Sequence, residues 1–400
     1  MLKTFAVHYG LRLCLGETYV LKRFSVRRKS LCTFAESFLM HASAKALKHN
    51  NMLELRGLAT GIGSLPHKDV ESALDLVFKY TPQVPFWSQL PKRDIREGMV
   101  AQFSENLPAL KISKEGLFFN PKDTEKELEV FYERIIADDA DYFKVSEDFA
   151  LGLHRFYRRL ENTNLKDIKF IKCQVTGPFT FLASLNDEKG VSLLHNAVFT
   201  QVVLKALIMK ALWQVNLFKK FGKKIILFFD EPYLGCFGSA YTPINREDVV
   251  RGLSELAASI KSKDILLGVH CCGNTDWSIF TDVTSIDIIS FDAYGFLERL
   301  VLYADNLKDF FKRGGILCWG IVPTQEFTDK VTLNSLIKKV KDGIGTLLKK
   351  GLDKDLLRDN LLLSPSCGMG TLDIDKSKRI LNTLSEVSKN IKNKLFDKQI

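Results

Sequence analysis

The run KIILFFDEP at 224–232 decides the fold, because five consecutive apolar residues lead directly into two carboxylates and a proline. A strand with one solvated face alternates apolar and polar residues, whereas a strand covered on both faces does not. The run therefore predicts a strand of a parallel sheet, with Asp230 and Glu231 at its carboxyl end.

Seven further segments have the same character and predict the rest of the sheet. They are LATGIGSLP (58–66), VPFWSQLP (84–91), KFIKCQVTGP (169–178), ILLGVHCCG (265–273), IDIISFDAYG (286–295), GILCWGIVP (315–323) and NLLLSPSCG (360–368). Helical patterns lie between them, as at 191–222 and 331–351, and the second of these ends at Gly351 after a lysine-rich turn.

Eight strands alternating with helices predict an α/β fold, a (β/α)8 TIM barrel. A doubly wound open sheet is the rival, but no glycine-rich dinucleotide fingerprint follows the first strand. The body at 52–400 is longer than the roughly 250 residues typical of such barrels. The surplus lies at 123–139 and 145–162, which predict a helical insertion between strands 2 and 3.

The segment 1–51 is predicted to be an extension separate from the single catalytic domain at 52–400. It holds +7 of the formal net charge of +10 and is rich in serine, like an organelle transit peptide. A start codon placed too early, with Met40 or Met52 as the true start, is the alternative. We expect a cytoplasmic protein, or an imported one if the segment is a genuine transit peptide.

The remaining composition narrows the function classes. The body carries only +3, which gives no reason to expect nucleic acid binding. No run of eighteen apolar residues occurs, so we expect no membrane span. Eight cysteines in a chain of this length are typical of a reducing compartment rather than of a disulfide scaffold.

Polar residues at the predicted strand ends indicate a metal site. His270 and Cys272 are two apart on one strand and point to the same side, so Cys271 must point away. Asp292 and Cys367 end the sixth and eighth predicted strands. The carboxyl ends of barrel strands meet at one mouth, and one imidazole, two thiolates and a carboxylate suit tetrahedral Zn²⁺.

Each of these residues can also have a purely structural role. Cysteine is among the most buried residue types, so each cysteine alone is consistent with core packing. Asp292 is also suited to orienting His270 without touching the metal. The pair Asp230 and Glu231 can bind a substrate or cap the helix that follows.

The motifs together resemble a known family. TGIGSLPH, VTGPFTF, FFDEPYL, HCC, SFDAYG and SPSCGMG are similar to the catalytic barrel of cobalamin-independent methionine synthases, within the superfamily shared with uroporphyrinogen decarboxylase. The resemblance covers 55–371 and is to the short, single-barrel form. It implies zinc held by His270, Cys272 and Cys367, with Asp292 at the position of the family's fourth ligand, a glutamate.

The resemblance also implies a substrate site. Ile62, Gly63 and Ser64 match the segment that holds homocysteine, and Asp230 matches the acid that binds its amino group. Gln89 is placed where the family has another substrate-binding acid, and Glu231 is added as a neighbour of Asp230. The family's histidine on the seventh strand has no counterpart here, which leaves the methyl donor open between methyl-folate and a methyl-corrinoid protein.

We therefore expect a zinc-dependent methyltransferase acting on a thiol, with homocysteine as the acceptor and methionine as the product. Asp230 is the expected catalytic carboxylate. The alternatives are a corrinoid-linked methyltransferase acting on another thiol, a metal-independent porphyrinogen decarboxylase-like lyase using Arg93 and Arg96, and a metal-binding barrel without enzymatic activity.

Overall fold

The computed structural model describes residues 55–122, 124–239 and 244–394. The predicted extension at 1–51 lies outside these residues, so its boundary stays a prediction. The strands are β1 Leu58–Ala59, β2 Leu110–Ser113, β3 Gly116–Phe119, β4 Phe170–Thr176, β5 Lys224–Asp230, β6 Ile265–Cys271, β7 Ile288–Phe291, β8 Ile316–Val322 and β9 Leu361–Pro365.

Seven strands form one parallel sheet in the order β1-β9-β8-β7-β6-β5-β4, which confirms the predicted α/β class. Every residue of β4, β6 and β8 is buried, as expected of strands covered on both faces. The first and last of these strands in the sequence, β1 and β9, are neighbours in the sheet.

The predicted strand at 84–91 is not a regular strand. It makes two isolated parallel bridges instead, Phe86 with Lys172 of β4 and Gln89 with Ser64 beyond β1. Pro85 and Pro91 lie within it, and a proline has no N–H to donate to a ladder. The segment therefore contacts both edges of the sheet through a few backbone hydrogen bonds rather than through a continuous ladder.

Helices surround the sheet. They are α1 Val70–Tyr80, α2 Thr124–Ile136, α3 Leu151–Glu161, α4 Pro178–Ala183, α5 Ala197–Lys219, α6 Arg246–Ile260, α7 Ser278–Asp282, α8 Ala293–Leu300, α9 Ala304–Lys312, α10 Leu333–Lys349, α11 Lys354–Asp359 and α12 Ile374–Lys394. Gly351 follows α10 at φ +85°, the left-handed conformation predicted for it.

Two further predictions, the helical insertion and the absence of a membrane span, can be compared with the structure. The segments predicted as an insertion, 123–139 and 145–162, contain α2 and α3, and an antiparallel hairpin of β2 and β3 that was not predicted precedes them. Helix α5 is long and apolar enough to cross a membrane by length and composition alone. However, 72% of its most apolar 18-residue stretch is buried inside the fold. Such burial is typical of a core helix.

The sheet separates two apolar layers, and one of them becomes polar toward the strand ends. Inside the sheet, Phe170, Ile226, Leu266 and Leu362 belong to one buried apolar cluster. The outer residues of the same strands pack in a second cluster with the helices. Further along the inner face the side chains are polar, as at His270, and this change places a site at the carboxyl ends.

Candidate metal and substrate site

Three metal-binding side chains meet at the carboxyl ends of β6 and β9. The ligand atoms of His270, Cys272 and Cys367 all lie within 4.8 Å of one another. His270 lies on β6, Cys272 follows that strand directly, and Cys367 lies two residues beyond β9. Cys271, between the first two, is buried in the outer cluster against the helices, as its position on the strand predicted.

The buried imidazole of His270 presents one nitrogen to this group. Its Nδ1 lies 3.0 Å from the hydroxyl of Ser290 on β7. Its Nε2 is buried and has no hydrogen-bond partner among the described residues. A buried nitrogen without a hydrogen-bond partner destabilises the fold, unless a bound ligand interacts with that nitrogen. The nitrogen and the two sulfurs therefore form a donor set that fits a borderline-soft divalent metal ion.

The two thiols affect each other's pKa. The hydrogen bond from Cys367, followed by the proximity of His270, lowers the pKa of Cys272 to about 4. The same hydrogen bond raises the pKa of Cys367, with burial adding to the effect. The cluster thus stabilises one thiolate even without a metal ion, and thiolates are the form of cysteine that binds metals.

The cluster forms part of the wall of a cavity of about 360 Å³. The residues that line it are Ile62, Ser64, Gln89, Pro91, Glu97, Met99, Asp230, Pro232, His270, Cys272, Gln325, Cys367, Gly368, Gly370 and Thr371. Seven of the residues predicted for the site are among them. Gly63, Glu231 and Asp292 are predicted site residues that are not part of this lining.

Asp230 is an acid of the cavity wall, and one of its carboxylate oxygens accepts no hydrogen bond from the described residues. It ends β5 beside His270, its partner in the register with β6. Burial raises the pKa of Asp230 to about 6, while His270 and the ammonium of Lys172 oppose this shift. Its Oδ1 is buried without a hydrogen-bond partner among the described residues, so a cationic ligand group would satisfy it.

Lys172 is a buried cation on the inner face of β4, beneath the cavity. Its ammonium donates to the carbonyl of Ile62 at 2.5 Å and to Oε1 of Gln174 at 3.1 Å. Burial lowers the pKa of Lys172 to about 8. Lys172 is not among the predicted site residues, because a lysine within a continuous apolar run carries no sign of the face to which it points.

The segment 62–64 connects the cavity to the loop that carries Cys367. The hydroxyl of Ser64 accepts a hydrogen bond from the N–H of Gly370 at 3.1 Å. A Cβ on Gly63 would lie 2.8 Å from Oε1 of Gln89, so any larger residue here would displace the side chain of Gln89. Gln89 in turn donates to the side chain of Gln102 at 2.8 Å.

Glu231, predicted as a substrate-binding neighbour of Asp230, is bonded to the beginning of helix α4. Its carboxylate accepts hydrogen bonds from the N–H of Phe179 at 3.0 Å and from the N–H and hydroxyl of Thr180 at 2.8 and 2.7 Å. It fits against Gly177, whose added Cβ would lie 2.2 Å from it. Glu231 therefore points away from Asp230, as neighbours on a strand do, and caps α4.

Asp292 lies close to the cluster but is not part of the group of three ligands. Its carboxylate caps α8, accepting from the N–H of Gly295 at 2.9 Å. Burial raises the pKa of Asp292, and the charge of Cys272 adds to the rise while His270 opposes it. The carboxylate is thus occupied by the helix end, which accounts for its orientation without a metal.

Glu97 is a buried carboxylate of the cavity wall that the sequence analysis missed. It accepts hydrogen bonds from the N–H of Leu90 at 3.1 Å and from the guanidinium of Arg93. Burial raises the pKa of Glu97 to about 7, against the lowering effect of Arg93. It lies in a short 3₁₀ helix at Ile95–Glu97, where apolar periodicity does not reveal which side chain faces inward.

Arg93 and Arg96 are engaged by carboxylates. Arg93 pairs with Glu97, while Arg96 pairs with Asp94 at 2.9 Å and with Asp148 at 3.2 Å. Neither arginine is among the residues lining the cavity. The two arginines predicted for a porphyrinogen decarboxylase-like reaction therefore do not line this cavity.

The fold and the site together define a class of protein, a parallel α/β fold with a His-Cys-Cys group at the strand ends. Comparisons with known proteins make this more specific. No family model matches the sequence. A methionine synthase of Methanocaldococcus jannaschii is 26% identical over 234 residues, which cover 56% of this chain and 65% of the relative. The match thus spans less than two thirds of the length of that curated relative.

A solved structure shares the fold. The B12-independent methionine synthase from Shewanella sp. W3-18-1, in complex with selenomethionine, aligns with a TM-score of 0.55 at 18% identity. The alignment covers 87% of this chain and all of that one. Together the two comparisons confirm the resemblance of this chain to the cobalamin-independent methionine synthase family.

Proposed function

We propose that this protein is a zinc-dependent methyltransferase that transfers a methyl group to the thiol of homocysteine, giving methionine. The observation that carries the proposal is the meeting of three nitrogen and sulfur ligands within 4.8 Å, on the wall of a cavity that Asp230 also lines. A thiol group and an ammonium group on one small molecule would complete both features.

Each end of such a substrate has a matching group in the cavity. His270, Cys272 and Cys367 would hold Zn²⁺, which is suited to such ligands and removes the proton from a coordinating thiol. Asp230 would pair with the substrate ammonium through its unpartnered oxygen. Backbone N–H groups of the segment 62–64 would take the substrate carboxylate, in the manner of an anion-binding turn.

The reaction balances without an oxidant. The thiol proton is lost to solvent, the sulfur then attacks the methyl carbon of the donor, and an S–C bond forms. The bond between the methyl group and the donor breaks, and its electron pair stays with the donor. The donor is proposed to be methyl-folate or a methyl-corrinoid protein. The relatives support the acceptor, since both are named methionine synthases and one was solved with selenomethionine, an analogue of the product.

The finer architecture belongs to the same proposal. We propose that the segment 84–89 takes the place of the second strand in an eight-stranded barrel, because it forms hydrogen bonds with both edges of the seven-stranded sheet. Helices α2 and α3 would then be an insertion between the second and third strands of that barrel. We also propose a cytoplasmic location, where free thiols such as Cys272 and Cys367 stay reduced.

Metal content and methyl transfer test the proposal together. The full chain, purified with added zinc, should bind one equivalent, and His270→Ala, Cys272→Ala and Cys367→Ala should each lose it. Cys271→Ala is the matched control, because this neighbouring thiol packs in the outer cluster, and it should keep the metal. Wild-type protein without zinc, or equal zinc content in all four variants, would contradict the proposed site.

The acceptor and the donor require an isotope assay. Homocysteine is incubated with methyl-labelled folate or with methyl-labelled cobalamin, and labelled methionine is measured. Transfer from either donor supports the proposed reaction and identifies the donor. Transfer from neither donor, by protein with a full complement of zinc, would refute the proposed function.

A further inference from the structure

The nitrogen of His270 that faces away from the cluster has a defined partner on the next strand. Nδ1 of His270 and Oγ of Ser290 are 3.0 Å apart, and both residues are almost fully buried. They are partners in the register of β6 and β7, so the contact is set by the sheet itself. The ring orientation thus depends on a hydroxyl that neither the sequence analysis nor the comparisons assigned.

The surroundings of Ser290 on the next strand are apolar or weakly polar, so His270 is the polar group to which its hydroxyl is bonded in the described structure. Cys318, the register partner of Ser290 on β8, carries a buried thiol. A serine hydroxyl can accept as well as donate, so Ser290 can accept the Nδ1–H of His270. Nε2 of His270 then keeps its lone pair free on the side where Cys272 and Cys367 lie.

We propose that Ser290 is a positioning residue that fixes the tautomer and the ring orientation of His270, so that Nε2 is preorganised to bind a metal ion. This inference rests on the proposed metal site and adds a residue to it that makes no contact with the metal. Partners of this kind typically change metal affinity 10–100-fold when they are removed.

The first test compares zinc affinity among variants of the full chain, measured by competition with a chromophoric chelator at pH 7. Ser290→Ala should bind zinc about 10–100-fold more weakly than wild type. Ser290→Thr keeps the hydroxyl and should restore affinity to within about threefold. Ser364→Ala changes an equally buried serine on β9 whose hydroxyl has no partner among the described residues; it is the matched control and should bind zinc like wild type.

Each of the other results would overturn the inference. Ser290→Ala with wild-type affinity would mean that the hydroxyl does not position the ring. A loss in Ser364→Ala as large as in Ser290→Ala would assign the effect to packing of the interior. Failure of Ser290→Thr to restore affinity would show that the hydroxyl itself is not the determinant.

A second measurement needs no substitution at Ser290. Wild-type protein labelled with ¹⁵N at histidine, with the signal of His270 assigned by its loss in His270→Asn, should show the proton on Nδ1. The opposite tautomer would overturn the inference, even if Ser290→Ala fails to fold. Failure of the proposed function is distinguishable, because a wild-type protein that binds no zinc still reports its tautomer in this spectrum.

Discussion

Glu231 and Asp230 are adjacent acids with different predicted roles. Removing Glu231 should lower the stability of the fold, whereas removing Asp230 should weaken substrate binding. Glu231→Ala removes the acceptor for the backbone N–H groups of Phe179 and Thr180, both of which are buried. Each buried donor without a partner costs about 1–3 kcal/mol, so the change should destabilise the fold by roughly 2–6 kcal/mol. Glu231→Gln keeps one acceptor oxygen and should cost about half as much.

The expected shift in melting temperature follows from the size of the fold. An unfolding entropy of about 2.1 cal/mol/K per residue, over roughly 340 residues, gives about 1.4 °C per kcal/mol. Glu231→Ala should therefore lower the midpoint of thermal unfolding by about 3–8 °C, as followed by circular dichroism. Its KM for homocysteine, measured well below the melting temperature, should stay within about twofold of wild type.

Asp230→Asn should behave in the opposite way. Burial raises the pKa of Asp230 to about 6, so its charged form opposes folding at neutral pH, and the amide should melt at the same temperature or higher. Losing a charged hydrogen bond of about 1.5–3 kcal/mol should raise KM for homocysteine roughly 10–150-fold. If Glu231→Ala raises KM to this extent without a change in melting temperature, the assignment of the two acids is wrong.

Further predictions concern packing and charge beneath the site. Gly152→Ala would place a Cβ 1.9 Å from the carbonyl oxygen of Ser88, so it should lower the melting temperature, whereas Gly345→Ala has open space and should stabilise helix α10 by about 0.5–1 kcal/mol. Equal melting temperatures of these two variants would contradict this packing. Lys172 has a pKa of about 8, below that of an unfolded lysine, so deprotonation favours the folded state as pH rises through this range. Urea unfolding at pH 7 to 10 should therefore show wild type gaining stability relative to Lys172→Met with rising pH, and a constant difference would refute the shift.

The class of the fold was predictable because it depends on a property of whole segments. Continuous apolar runs specify strands that are covered on both faces, whatever the details of each side chain. The segment 84–91 is the exception, since its prolines remove donors from a ladder while leaving its hydrophobicity unchanged. The hairpin of β2 and β3 was also missed, as exposed strands of four residues carry little pattern.

The candidate site was predictable where strand geometry alone decides the direction of a side chain. Two-residue spacing put His270 and Cys272 on one side, and Cys271 on the other. The same rule separates Asp230 from Glu231, although the resemblance of the motif had grouped them. Glu97 and Ser290 were missed for a different reason, because an acid in a loop and a serine in a strand become informative only once their neighbours are known.

The pairing of β1 with β9 has a consequence for how the protein is made. Cys367 lies 95 residues after Cys272, and a ribosome that adds about 5–20 residues per second needs roughly 5–20 s to bridge that gap. During this interval the nascent chain holds two ligands but lacks the third, and the loop that Ser64 holds through Gly370 does not yet exist. If the proposed site binds a metal ion through all three ligands, that binding is a late event of biosynthesis, completed only when β9 docks against β1.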